Sequence, residues 1–205
     1  MYIDVRAGSR PWTDVYKICI GVITPRPIAL VSTCAPDGAL NLAPYSFFNM
    51  VCARPPVVIV CPTVRRDGSM KDTLRNIQLT REFVIAAAVA PIAQQMNACA
   101  ADLPYGRSEW EFSGLTPVPA TIVRPPCVKE SPVNLECTLR EIKTIGEGPG
   151  SANIVFGDIL ALHVADEVLD ADGIPDPHKL PTVGRLGGTW YCNVTQPYSM
   201  PIPKP

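Results

Sequence analysis

A mainly β fold with a few short helices is what this sequence predicts, on three observations. Wholly apolar runs of strand length recur, such as Ile28-Ala29-Leu30-Val31 and Val57-Val58-Ile59-Val60-Cys61. Runs of that length bounded by turn residues read as buried strands. The 23 prolines are about twice average usage and gather at corners, as in Pro55-Pro56, Pro125-Pro126 and Pro175-Asp176-Pro177. Finally, residues 133–142 and 154–164 read as two long strands, whereas helical periodicity is confined to short stretches.

In chain order, residues 13–20 suit a short helix that delivers the chain into the strand at Ile28. Ser32 and Thr33 end that strand, and Pro36-Asp37-Gly38 is a turn, with proline presetting φ and glycine free to take φ > 0. A hairpin would bring Ser32-Thr33 beside residues 41–45. The resulting rim of hydroxyls, amides and the rings of Tyr45-Ser46-Phe47-Phe48-Asn49 suits a flat, polar-edged, phosphorylated ligand. The alternative is structural: strand-end hydroxyls often satisfy neighbouring amides, and one of two adjacent Phe residues faces the core.

Residues 57–61 predict a central strand. Ser69-Met70-Lys71-Asp72-Thr73-Leu74-Arg75-Asn76-Ile77 reads as a helix start, with Asp72 or Thr73 as N-cap and Leu74 and Ile77 opening an apolar face. Lys71 stands just before it. Free amides, the positive dipole end and an ammonium group converge there, which is how a phosphate is held. A free Asp72 carboxylate would oppose this unless its oxygens bond helix amides. The alternative for Lys71 is a solvated surface charge. The helix runs to about residue 80, a strand spans 83–87, and residues 92–101 suit a helix. Gly146-Glu147-Gly148-Pro149-Gly150 is a loop and not a dinucleotide fingerprint, because its spacing is wrong and no helix follows. Neither a P-loop nor G-x-S-x-G occurs. The Pro-rich tail from about residue 196 predicts an extended, polyproline-like end.

At 205 residues a single domain over 1–205 is expected. A net charge of −1 gives no electrostatic case for nucleic acid or an anionic membrane. The first residues lack the apolar core of a signal peptide, and the run at 83–93 is too short to span a bilayer, so a cytoplasmic location is expected. The eight cysteines include no C-x-x-C pair. In a cytosolic chain they are expected mostly as small buried hydrophobes, with Cys34, beside the turn, the most exposed.

Several blocks taken together resemble the flavin reductase-like, FMN-binding split-barrel family. They are Pro25-Arg26-Pro27-Ile28-Ala29-Leu30-Val31-Ser32-Thr33, Asn41-Leu42-Ala43-Pro44-Tyr45-Ser46-Phe47-Phe48-Asn49, Pro55-Pro56, and Lys71-Asp72-Thr73-Leu74-Arg75-Asn76-Ile77 with Glu82-Phe83-Val84-Ile85. Later come Glu130-Ser131-Pro132, Glu136-Cys137, Gly157-Asp158-Ile159 and Gly184-Arg185-Leu186-Gly187-Gly188 with Tyr191. The likeness spans roughly residues 15–195 and is nearest the subgroup of flavoredoxin and the reductase components of nitrilotriacetate monooxygenase.

That resemblance implies a Greek-key split β-barrel, assembled as a homodimer with flavin between subunits. It implies FMN as cofactor, with NADH or NADPH as transient hydride donor. The implied FMN-binding residues are Arg26, Ser32, Thr33, Ser46, Phe47, Phe48, Asn49, Lys71, Asp72, Thr73, Arg185 and Gly187, with Lys71 and Thr73 meeting the phosphate. Gly187-Gly188 would permit close backbone approach to the ring or a second ligand, or be a plain turn. Arg185 would reach a phosphate or make a surface salt bridge, and Trp190 and Tyr191 would stack on a nicotinamide or substrate, or pack.

One departure stands out. Short-chain flavin reductases of this fold often carry an Asp-His pair where this chain has Ser151, Ala152 and Asn153. His163 is then the one catalytic candidate, against the alternative of a structural strand histidine. Three functions remain open: an NAD(P)H-dependent FMN reductase, with a monooxygenase component as one partner; a protein that keeps its FMN and carries electrons or reduces a small organic substrate; or a barrel that has lost flavin.

Overall fold

The computed structural model describes residues 1–103 and 107–203; Lys204 and Pro205, the end of the Pro-rich tail, lie outside the described residues. Helix α1 (Trp12–Val22) leads into strand β1 (Arg26–Pro27) and then β2 (Ala29–Cys34). Strands β3 (Leu40–Tyr45), β4 (Phe48–Ala53) and β5 (Pro56–Val60) follow, then helix α2 (Asp72–Thr80) and β6 (Glu82–Ala87). After short helices α3 (Ala93–Ala98) and α4 (Glu109–Ser113) come the two-residue strands β7 (Pro117–Val118) and β8 (Cys127–Val128). The long hairpin β9 (Val133–Ile145) and β10 (Ala152–Val164) precedes β11 (Val183–Arg185) and β12 (Tyr191–Asn193).

Seven strands form one antiparallel sheet in the order β3-β2-β6-β9-β10-β5-β4. Its two outermost strands, β3 and β4, are joined by only Ser46 and Phe47. Three peptide steps of 3.8 Å cannot span a flat seven-stranded sheet, so the sheet must roll until its edges meet. The outcome is a mainly β, Greek-key split barrel. Side chains from β2, β5, β6, β9 and β10 converge inside it: Ala29, Val31, Val58, Val60, Phe83, Ile85, Cys137 and Val155, closed by Leu74 and Ile77 of α2. Alternate residues of β2 and β6, Leu30 and Ala86, with Ile28 just before β2, face outward into a second core with Met96 of α3 and Trp110 of α4. A glycine is required at 157, where a Cβ would stand 2.3 Å from Cζ of the buried Phe83 ring. A small second sheet, β1-β11-β12, lies alongside.

The apolar run at 57–61 becomes β5, with a partner on each side, as full burial demands. The helix expected over 92–101 is a 3₁₀ turn, Ala90–Ile92, followed by the one-and-a-half turns of α3. Neither Asp72 nor Thr73 caps α2. Lys71 holds the N-cap position, without a side-chain cap bond. Cys34 is buried, and Cys19 and Cys52 are exposed instead; Cys34 closes its strand before the turn swings out, so its thiol faces the core and donates to the Ala35 carbonyl. The strand β4 and the second sheet were not foreseen, being short or lacking alternation. The described part of the tail has no regular structure, and Tyr198, Met200 and Ile202 are exposed. No helix among the described residues is long and apolar enough to cross a membrane.

Candidate functional site

A groove of about 300 Å³ opens where the barrel edge meets α1 and the small sheet. Tyr16 and Ile20 of α1 form one wall, and Pro44, Tyr45, Ser46 and Phe47, the corner joining β3 to β4, form the opposite one. Thr63, Lys71, Met96, Arg185 and Tyr191 also line it. Of the twelve residues expected to hold a cofactor, the fold gathers five here: Arg26, Ser46, Phe47, Lys71 and Arg185.

Lys71 is the informative one. Its ammonium stands 5.4 Å from the Tyr45 ring centroid, over the ring face, and has no carboxylate or other hydrogen-bonding partner among the described residues. Burial lowers its pKa from the usual lysine range, and the neighbouring Arg65 guanidinium lowers it further. The uncapped start of α2 adds its free amides and positive dipole at the same point. Asp72 does not oppose this as a free carboxylate would. Its oxygen lies 3.6 Å from Arg65, which neutralises it; this replaces the expected bonding to helix amides.

Arg26 lines the groove but is largely committed elsewhere. Its guanidinium donates to the carbonyls of Ile20 at 2.7 Å and Ile23 at 2.5 Å, the last turn of α1, and to Leu186 at 2.9 Å. A cation on orphan C-terminal carbonyls is the favourable arrangement at that helix end. Arg26 thus fixes α1, a wall of the groove, against the 186–190 turn behind it. Gly187 serves the same end: a Cβ on it would meet Gly21 Cα at 3.0 Å, so the close approach it permits is to α1.

Thr33 and Thr73 lie beneath the floor, fully buried. Asn41 Nδ2 donates to Thr73 Oγ1 at 2.9 Å and to Thr33 Oγ1 at 3.3 Å, and Asn76 Nδ2 donates to Thr33 Oγ1 at 3.1 Å. This network pins α2, and hence Lys71, to the β2–β3 hairpin. Ser32, one residue from Thr33, points to the opposite face, where its hydroxyl is buried without a partner. Phe48 packs against the barrel core, and Asn49 is exposed, its side chain accepting from the Met50 amide. His163 does not reach the groove. Its Nε2 lies 2.5 Å from a Glu136 carboxylate oxygen. Glu136 also accepts from the amides of Thr121, Ile122 and Val123, so the pair ties an irregular segment to the sheet.

Sequence reasoning missed Tyr16, Ile20, Thr63 and Met96, which come from α1, the loop after β5 and α3 and share no motif. Among the described residues the lining has three cations, Arg26, Lys71 and Arg185, and no carboxylate.

Residues 22–181 match the model of the flavin reductase like domain. The chain belongs to that family. This flavin reductase-like chain is 36% identical over 177 residues to an uncharacterised protein of Aquifex aeolicus, covering 86% of this chain and 88% of the relative. It superposes on nitrilotriacetate monooxygenase component B from Bacillus cereus with a TM-score of 0.90 at 32% identity, covering 98% of this chain and 99% of the other. The 2-nitrobenzoate 2-nitroreductase NbaA of Pseudomonas fluorescens gives 0.88 at 30% identity, covering 99% and 96%. The groove's donor set fits a flavin of the family: an unpaired ammonium and free helix amides at one end, and apolar walls of Ile20, Ile28, Phe47 and Met96 along its length.

Proposed function

We propose that this flavin reductase-like protein is an oxidoreductase that binds FMN in the groove between α1 and the β3–β4 corner, and that NADH or NADPH serves as transient donor. One observation carries the reading: Lys71, partly desolvated and without an anionic partner, stands at an uncapped helix start inside a groove lined by no carboxylate. In that reading Lys71 and the first amides of α2 hold the phosphate. Phe47, Ile20 and Met96 exclude water from the flavin ring, and the backbone of the 44–47 corner presents amides to its polar edge. Bound flavin supplies the hydride and electron chemistry. What the chain contributes is binding, orientation and access.

Trp12, Tyr16 and Val22 of α1, Ile23 just after it, and Met50 and Val51 of the edge strand β4, are exposed apolar side chains. They support a homodimer, since edge strands and apolar helix faces of this kind are normally covered. A monooxygenase component is one acceptor of the reduced flavin, by likeness to the component B protein. The nitroreductase likeness favours a second reading, in which FMN stays bound and a small organic substrate enters beside it.

The test is the visible spectrum of the purified protein with one equivalent of FMN, before and after NADPH or NADH without oxygen. Perturbation of the flavin band near 450 nm, a general flavin property, followed by bleaching, is expected. Free FMN that accelerates NAD(P)H oxidation with saturation marks the reductase. Full turnover of a nitroaromatic by bound FMN marks the second reading. A spectrum identical to free FMN at micromolar protein overturns both.

A further inference from the structure

The groove does not end at Arg185 and Tyr191. Those side chains form a partition: the Tyr191 hydroxyl donates to Asn97 Oδ1 at 3.0 Å, while the Arg185 guanidinium lies 4.4 Å from the Tyr191 ring centroid and donates to the Tyr191 hydroxyl and the Gly188 carbonyl. Behind them lies a second chamber of about 390 Å³, which shares Met96, Arg185 and Tyr191 with the groove. Its other polar lining is Gln94, Asn97, Thr189 and Asn193.

Among the described residues no carboxylate lines this chamber either. A guanidinium carries five N–H donors in a rigid fork. Two of Arg185's are engaged, by a hydroxyl and a carbonyl, and no acidic side chain pairs with it among the described residues. Its charge reaches Arg26, whose pKa is lowered chiefly by burial and further by Arg185. In the chamber the Arg185 guanidinium, with neutral amides and a hydroxyl around it, forms an electrostatic site that lacks only its anion, and Arg26 adds positive potential from the groove side.

We propose that this chamber receives the anionic group, a carboxylate or a phosphate, of the small molecule that meets the flavin as second reactant. The proposal rests on the FMN reading above, because it places that molecule's remainder through the partition toward the groove. The Arg185 fork suits a planar carboxylate or two phosphate oxygens, and Asn97 and Gln94 add amide donors beside it. A neutral reactant of the same shape leaves the guanidinium unmatched.

The test is calorimetric and uses the apoprotein and the FMN-loaded protein side by side. Benzoate against benzamide probes a carboxylate. Reduced nicotinamide mononucleotide against reduced nicotinamide riboside, on the apoprotein, probes a phosphate. At least one anion is expected to bind tenfold or more tightly than its neutral counterpart, and which one does so identifies the source. Arg185→Gln is expected to erase that difference. Thr189→Glu, which places a carboxylate among the chamber residues without touching the groove lining, should do so too while leaving FMN affinity within twofold. If neither anion is preferred, or Thr189→Glu changes neither, the proposal is overturned. Failure of the FMN reading shows separately, as absent FMN binding in the same instrument, and leaves the apoprotein arms readable.

Discussion

Replacing Lys71 with methionine removes the charge at the start of α2 and keeps a flexible stem over Tyr45. Two effects of opposite sign follow. In the free protein the ammonium is partly desolvated, lies near the Arg65 guanidinium and has no anion in direct contact among the described residues; burial and Arg65 lower its pKa and outweigh the more distant Asp102 carboxylate, which raises it. A lysine whose folded-state pKa is depressed binds its proton less readily folded than unfolded. It therefore destabilises the fold below that lowered pKa, and stability recovers as pH rises from it toward the unfolded value. Lys71→Met should then raise the melting temperature of the apoprotein at neutral pH. FMN reverses the balance, because its phosphate is the anion the site lacks. A hydrogen bond to a charged group contributes about 1.5–3 kcal/mol, so the variant should bind FMN about ten- to a hundredfold more weakly. Differential scanning fluorimetry without flavin and fluorescence titration with FMN read the two effects independently. A variant that melts lower than wild type and binds FMN equally well refutes the argument: Lys71 would then be an ordinary stabilising surface cation.

Thr73→Val is isosteric but strips a buried hydroxyl that accepts from Asn41 at 2.9 Å. That amide keeps its longer bond to Thr33 Oγ1 at 3.3 Å, so losing the shorter one should cost about 0.5–1.5 kcal/mol of stability in chemical denaturation, and weaken FMN less than Lys71→Met does. Gly157→Ala drives a Cβ into the Phe83 ring, 2.3 Å from Cζ. Overpacking of this kind costs about 1–3 kcal/mol, and Phe83→Leu in the same chain should return part of it. Burial works to raise the Glu136 pKa, but the His163 bond and three backbone amides outweigh it and hold the carboxyl at about 2. Its contribution is present above the unfolded carboxylate value and is lost as pH falls toward 2. The melting temperature of Glu136→Gln should accordingly lie below that of wild type at pH 6, with the gap narrowing between pH 4 and 2.

Much of the barrel was legible because its signals are local. The runs at 57–61 and 133–142 are strands in any context that buries them, and the helix at 72–80 follows from its own apolar spacing and the charged residues around it. The likeness of the 25–33, 41–49 and 71–77 blocks to a flavin-binding family is likewise a property of the chain alone. The groove was only half visible for the same reason. Ser46, Phe47 and Lys71 stand in those blocks, whereas Tyr16 and Met96 reach it from helices, and Thr63 from a loop, whose sequences carry no sign that they line a site.

Composition, strand runs and motif blocks thus determined by themselves that this is a β-rich, flavin reductase-like chain with a cation set at a helix start. Only the tertiary structure decided which hydroxyls face the groove. Ser32 and Thr33 are equivalent on paper. The two-residue pleat turns one into an apolar layer, and packing against α2 spends the other on Asn41 and Asn76. Tertiary structure likewise committed Arg26 to the carbonyls that end α1 and left Arg185 without an acid. A side chain's partners are set by what the fold brings within about 3 Å of it, and for Arg26 and Leu186 that neighbour is 160 residues away.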